Sequence, residues 1–285
     1  MVKKINIILS FLLLITFNSC SNDSDSISPP FEGDVYLNSQ AEVNEFGTNN
    51  HSGINGNLTI GFQNGPRDIL NLSPLKSLNF VRGNVEIHYN DELINLNGLN
   101  NIEEINGSLI IGFNDRLENL NGLNSLNLVN SIEIAFNYSL SNINGLQNIN
   151  ILSGDLSIFR CDSLVNIDGA NNITNIGGTL YLAHIPIGSV SSFQNLTNIG
   201  HDLKIGECNE LLNLDGFSNL ESIGNSLLIG VSSGFEVGNS KLSSIEGLSS
   251  LEIINGDLVI AGSASSSPSG ILESLNGLHN YRSRW

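Results

Sequence analysis

The chain has 285 residues, a formal net charge of −17, 14% charged and 40% apolar residues, and 3 cysteines. This acidic balance argues against nucleic-acid binding, which needs a basic stripe to displace phosphate counterions, and disfavours broad docking onto anionic lipid. The apolar residues recur at regular spacing throughout, which sets the chain apart from disordered sequences of similar polarity.

At the start, Lys3 and Lys4 precede an apolar stretch, Ile5 to Phe17, that is too short to span a bilayer. Asn18-Ser19-Cys20 comes next, and the composition switches at once to Ser, Asn and Asp. The arrangement resembles a bacterial lipoprotein signal, with residues 1–19 as signal peptide and Cys20 as the lipidated first residue. An ordinary secretory signal with an incidental cysteine is the other reading. Asp23 and Asp25 resemble the acidic tag that sends lipoproteins of Bacteroidetes-type bacteria to the outer surface. The resemblance implies an outer-membrane lipoprotein exposed at the cell surface, its membrane partner engaged through acyl chains at about 0.8 kcal/mol per buried methylene. Residues 20–33, polar and ending in Pro29-Pro30, read as a tether, and residues 34–285 as the folded domain.

Ser39-Gln40-Ala41-Glu42 has capping-box spacing, with Val43 and Phe46 on one face and Gly47 as a stop. This predicts a short helix that covers the open end of a stack of repeats. A repeat of 23 or 24 residues then opens near Gly56, Gly83, Gly107, Asn130, Gly154, Gly178, His201, Asn225 and Gly256. Such a period predicts a solenoid of about nine coils. Each coil opens on a strand with two alternate apolar residues, from Leu58 and Ile60 to Leu258 and Ile260, pointing inward. A second glycine, as in Asn97-Gly98, Asn121-Gly122, Asn144-Gly145, Asp168-Gly169, Asp215-Gly216 and Asn276-Gly277, suits a turn with positive φ. A lone coil buries too few side chains to offset the entropy of ordering its backbone, so stability must come from stacking.

The strand pattern Leu-x-Ile-x-x-Asn, the coil length, the Asn-Gly-Leu turn and the preceding helix resemble the receptor L-domain family of leucine-rich-repeat-like proteins. The resemblance covers about residues 34–280. It implies an all-β, right-handed parallel β-helix and a binding role, while leaving the ligand open.

Reading equivalent positions across coils gives three rows. Asn90, Asn114, Asn137, Cys161 and Cys208 form an inward structural ladder, whose amides would satisfy buried backbone groups. The two cysteines lie two rungs apart, roughly 10 Å, beyond disulfide reach, and no histidine joins them to make a metal site. Phe62, Tyr89, Phe113 and Phe136 form an aromatic row that ends at Arg160. It is either a structural ladder sealing a corner or an exposed strip for a glycan or an extracellular protein. Asp91, Asp115 and Asp162, with Glu92 and Glu210, make an acidic row, read as a solvated edge, with calcium as the sharper alternative.

Insertions lengthen three coils at one edge: after Ile60, in VSSGFEVGNS with Phe235 and Val237 as apolar tips, and in AGSASSSPSG. They mark either a binding edge or tolerated variation. Outward strand positions include Glu86 and Glu133 on either side of Ile110, slightly too far apart for an inverting carboxylate pair. The histidines share no row, and no phosphate loop, nucleophile elbow or zinc spacing occurs, so no catalytic residue, metal or cofactor is expected. Past Leu278 the repeat gives way to Tyr281-Arg282-Ser283-Arg284-Trp285, with no capping element expected. The expected role is a non-enzymatic cell-surface binding module. The alternatives are a structural envelope scaffold and, less well supported, a β-helix enzyme acting on polysaccharide.

Overall fold

The computed structural model describes residues 26–232, 235–236 and 238–261. The signal segment, Cys20, Val237, the insertion after Ala261 and the turn at Gly277 lie outside the described residues, as do Tyr281 and Trp285. No helix among the described residues is long and apolar enough to cross a membrane.

The expected strands form and stack in parallel, giving an all-β solenoid. The main sheet runs Val35–Leu37, Leu58–Ile60, Val85–His88, Glu104–Gly112, Leu128–Ala135, Leu156–Phe159, Leu180–Ala183, Leu203–Gly206, Leu227–Ile229 and Leu258–Ile260. Like pairs with like: Leu58 with Val85, Leu109 with Ile132, Leu156 with Leu180, Leu203 with Leu227. A slip of one residue would turn every inward side chain to solvent, so burial on one face fixes this register. A second parallel sheet joins Ile151–Leu152, Asn175–Ile176, Asn198–Ile199, Ser222–Ile223 and Ile253–Ile254. Between the sheets the chain turns through short 3₁₀ segments such as Asp168–Ala170 and Asp215–Phe217.

After each strand the inward residues recur every third position. In one coil Asn90, Leu93, Leu96, Leu99, Ile102 and Ile105 are all fully buried. Leu93, Leu99 and Ile102 donate their N–H groups to the carbonyls of Asn90, Leu96 and Leu99, three residues back. Such i→i−3 closure places every third side chain on the same side, which turns a three-residue sequence period into a continuous core. Phe193 and Phe217 stack in that core at 5.6 Å.

The N-terminal helix spans Gln40–Gly47. Ser39 Oγ accepts the Glu42 N–H at 3.3 Å, and the Glu42 carboxylate accepts the Asn38 N–H at 2.6 Å. The helix packs on the 3₁₀ segment Ser73–Leu75 with Val43 fully buried, and Gln40 spans to the next rung through Leu70 and Asn71. It therefore continues the face made by the later 3₁₀ turns.

Two expectations need correction. The strand Val35–Leu37 precedes the first expected coil, and Ser28 and Phe31 already bridge to His51 and Ile54, so pairing extends into the segment read as a tether. The second glycine of each coil is also fixed by more than a turn. Gly98 and Gly122 do adopt φ of +120° and +112°, but a Cβ on either would also lie 2.0 Å from a carbonyl oxygen of the preceding rung, that of Leu72 or Leu96. Gly169 and Gly216 are not in the positive-φ region. There a Cβ would lie 1.9 and 1.7 Å from the carbonyl oxygens of Ile143 and Val190 on the preceding rung. Close approach between rungs, not a left-handed turn, excludes a side chain at these two positions.

Candidate aromatic surface

Each coil must leave its strand sharply enough to bring the ladder residue inward. The strands Leu58–Ile60 and Leu227–Ile229 are followed by glycines with positive φ, Gly61 (87°) and Gly230 (78°), but in six consecutive coils between them the left-handed residue is not glycine: Tyr89 (φ 58°), Phe113 (57°), Phe136 (56°), Arg160 (53°), His184 (52°) and Glu207 (55°). Left-handed backbone at a residue with a Cβ costs roughly 1–2 kcal/mol, most unfavourably for bulky side chains. Six consecutive rungs carry that cost.

The rings at these turns form a column. Tyr89 and Phe113 stack with centroids 4.8 Å apart and planes 9° off parallel, and Phe113 and Phe136 stack at 4.5 Å and 8°. Arg67 lies over the outer face of Tyr89, 5.2 Å from its centroid, and is held by Asp91 at 3.2 Å. Arg160 lies 5.9 Å from the Phe136 centroid. Phe113 remains 40% exposed, while Tyr89 and Phe136 are half-buried.

The aromatic row was expected to begin at Phe62 and to stop at Arg160. Phe62 is 52% exposed and joins none of these ring contacts, because the insertion of the first coil delivers Arg67 to the place above Tyr89. At the other end the path shifts sideways. Phe159 meets Phe136 edge-on at 5.5 Å and Tyr181 at 5.7 Å, carrying aromatic contact onto the sheet face. Phe159 pairs in register between Ala135 and Ala183, whose small side chains leave it room and are themselves 3% and 0% exposed. The path therefore runs Tyr89, Phe113, Phe136, Phe159, Tyr181. Reading down a single row missed its last two members. Small-large-small alternation at positions 135, 159 and 183 was the available signal.

The inward row is a ladder of buried, hydrogen-bonded side chains. Asn90, Asn114 and Asn137 are fully buried. Asn114 Oδ1 accepts the Asn90 N–H at 3.1 Å, and its Nδ2 donates to the carbonyls of Ile87 and Gly112 at 2.9 and 3.0 Å. Asn137 repeats the pattern with Ile111 and Ala135. Asn90 Oδ1 heads the ladder without a partner among the described residues. Cys161 and Cys208 fill the same row as buried free thiols, and burial pushes them up to about 11 and about 12. Asn239 is a further member: its Oδ1 accepts the Cys208 N–H at 2.9 Å and its Nδ2 donates to Ile205. The spacing Asn239 to Leu242, equal to Asn90 to Leu93, marked it within what read as an insertion. The rest of that insertion includes a small antiparallel ribbon, Val231–Ser232 with Phe235–Glu236.

Carboxylates of the acidic row are partly neutralised between rungs: Asp91 by Arg67, Glu92 by Arg116, Glu210 by Lys241. Asp115 and Asp162 form no ion pair among the described residues, and neither do Glu86 and Glu133, which flank Ile110 in register. No group of three or more His, Cys, Asp and Glu able to hold a metal ion occurs among the described residues. His184 Nδ1 lies 2.7 Å from the Glu207 carboxylate. Desolvation outweighs that attraction, and the nearby Arg160 adds to it, so the imidazole sits below its ordinary value.

No protein-family model, curated protein or solved structure matches this chain.

Proposed function

We propose that this chain is a non-enzymatic binding module displayed at the cell surface. In this reading it is an outer-membrane lipoprotein held through acyl chains on Cys20, and its folded part is a right-handed β-helix of about nine coils of the receptor L-domain kind. It captures an extracellular glycan or protein through the aromatic path, the adjoining sheet face and the edge that carries Phe235 and Val237.

One observation carries the reading. Aromatic side chains, exposed at Phe113 and half-buried at Tyr89 and Phe136, occupy backbone positions where glycine would remove strain. Each stacked pair returns about 0.5–1.5 kcal/mol beyond its area burial, comparable to the left-handed cost of a single ring-bearing residue. Stacking alone gives little reason to keep rings there, whereas a surface that must present them does. The scaffold reading has its own support, since stacking hides most of the ring faces from solvent.

The test is a glycan and extracellular-protein array probed with the intact protein and with a Phe113→Ala/Phe136→Ala double variant of matched thermal stability. Binding by the intact protein, reduced on the order of tenfold or more in the variant, is the expected result, because interface aromatics in central positions dominate affinity. Binding that survives in the variant moves the ligand elsewhere, and no binding by the intact protein assigns the rod to the envelope scaffold.

A further inference from the structure

Resting on the binding-module reading, we propose that the aromatic path receives a basic, extended polypeptide segment rather than a glycan. Two observations on the same surface lead there. The first is ring orientation. Sugars dock onto open ring faces, but here Tyr89, Phe113 and Phe136 stack face to face along the rod, and Arg67 lies over the outer face of Tyr89. What the column offers outward is a ribbed strip of ring edges, an apolar surface suited to aliphatic side chains and the stems of lysine and arginine.

The second observation is charge. On the sheet side of the column stand Glu86 and Glu133, and on the turn side Asp115 and Asp162, all four without an ion-pair partner among the described residues. Glu86, Asp115 and Glu133 lie within three residues of the ring-bearing turns Tyr89, Phe113 and Phe136, roughly 10 Å at strand rise and comparable to the Debye length at physiological salt, while Asp162 lies two residues past Arg160. Arg67, the cation nearest the column, is already neutralised by Asp91, which leaves Arg160 as the countercharge at this surface. With the whole chain at −17, the long-range field has the same sign as the local one. Such a field repels acidic partners and steers basic ones. An apolar strip between two rails of unpaired carboxylate matches a chain that carries lysine or arginine beside small aliphatic residues.

The experiment measures binding of three probes to the intact protein: a short peptide alternating lysine and valine, its glutamate counterpart, and cellohexaose. The lysine peptide is expected to bind and the other two to fail. Its affinity is expected to drop on the order of tenfold in Phe113→Ala. A drop of similar size is expected in Glu86→Gln/Glu133→Gln, with a shallower salt dependence. Equal binding of the lysine and glutamate peptides, or binding indifferent to the carboxylate variant, overturns the inference. Binding of cellohexaose that is lost in Phe113→Ala overturns it in favour of a glycan and leaves the binding-module reading in place. If none of the three binds, this inference fails alone, since the array with the Phe113→Ala/Phe136→Ala variant judges the broader reading separately.

Discussion

The residue that ends each strand shows how one backbone requirement and one surface requirement compete. Leaving the strand toward the ladder needs left-handed backbone, and glycine meets that need without a clashing Cβ. Phe113 meets it with a ring stacked on both sides. This gives a prediction that inverts the usual ranking of small residues. Elsewhere in regular structure alanine is more stabilising than glycine, but at position 113 Phe113→Gly is expected to be more stable than Phe113→Ala by about 1 kcal/mol, because only alanine retains the strained Cβ. Equilibrium urea unfolding of the two variants reads the difference. An alanine variant at least as stable as the glycine variant would show that the turn carries no such strain, and would remove the main support for a presented aromatic surface.

At the scale of the element, stability passes between rungs through polar side chains buried in the core. Asn114 accepts from one rung's backbone and donates to two carbonyls. Asn114→Ala leaves these groups buried without partners, and the expected cost is about 2–4 kcal/mol. Cys161 occupies the same row and faces the backbone N–H of Asn137, so Cys161→Asn rebuilds the ladder and is expected to hold stability within about 1 kcal/mol. Urea midpoints of the two variants check both expectations, and equal losses would deny the equivalence of the positions. The ladder, the strands and their register were legible in the sequence because each is written once per coil at a fixed offset. Asn239 was obscured by the residues inserted before it, although its spacing to Leu242 was intact. The cause of glycine at 169 and 216 was not legible, because contact with the preceding rung's carbonyl is set by how coils stack and not by local sequence. The same holds for the sideways step from Phe136 to Phe159, which joins two rows that the repeat keeps apart.

Across the whole molecule, the acidic balance and the half-buried histidines respond to pH in opposite senses, and the window decides between them. Lowering pH relieves the self-repulsion of a chain at −17 only once carboxylates begin to protonate, at roughly pH 4. Above that, between about 6.5 and 5, the groups that change are histidines. His88 lies below its ordinary value because desolvation outweighs the pull of Glu86, and His184 likewise despite Glu207. Groups with depressed folded values bind fewer protons in the native state than in the unfolded one, so their contribution is complete above about 6.5 and is lost as pH falls below it through the lower folded values. Asp202 adds a later loss. Its desolvation is outweighed by Lys204, the Ser226 N–H and Asn225, which hold it below its ordinary value, so its contribution goes as pH falls below about 3.8. Thermal unfolding midpoints are therefore expected to fall between neutral pH and about 5, before any relief from charge neutralisation sets in. A His88→Gln/His184→Gln double variant is expected to flatten that slope. A midpoint that rises over the same window would mean that His184 is held charged by Glu207, and the end of the column beyond Arg160 would then carry a further cation.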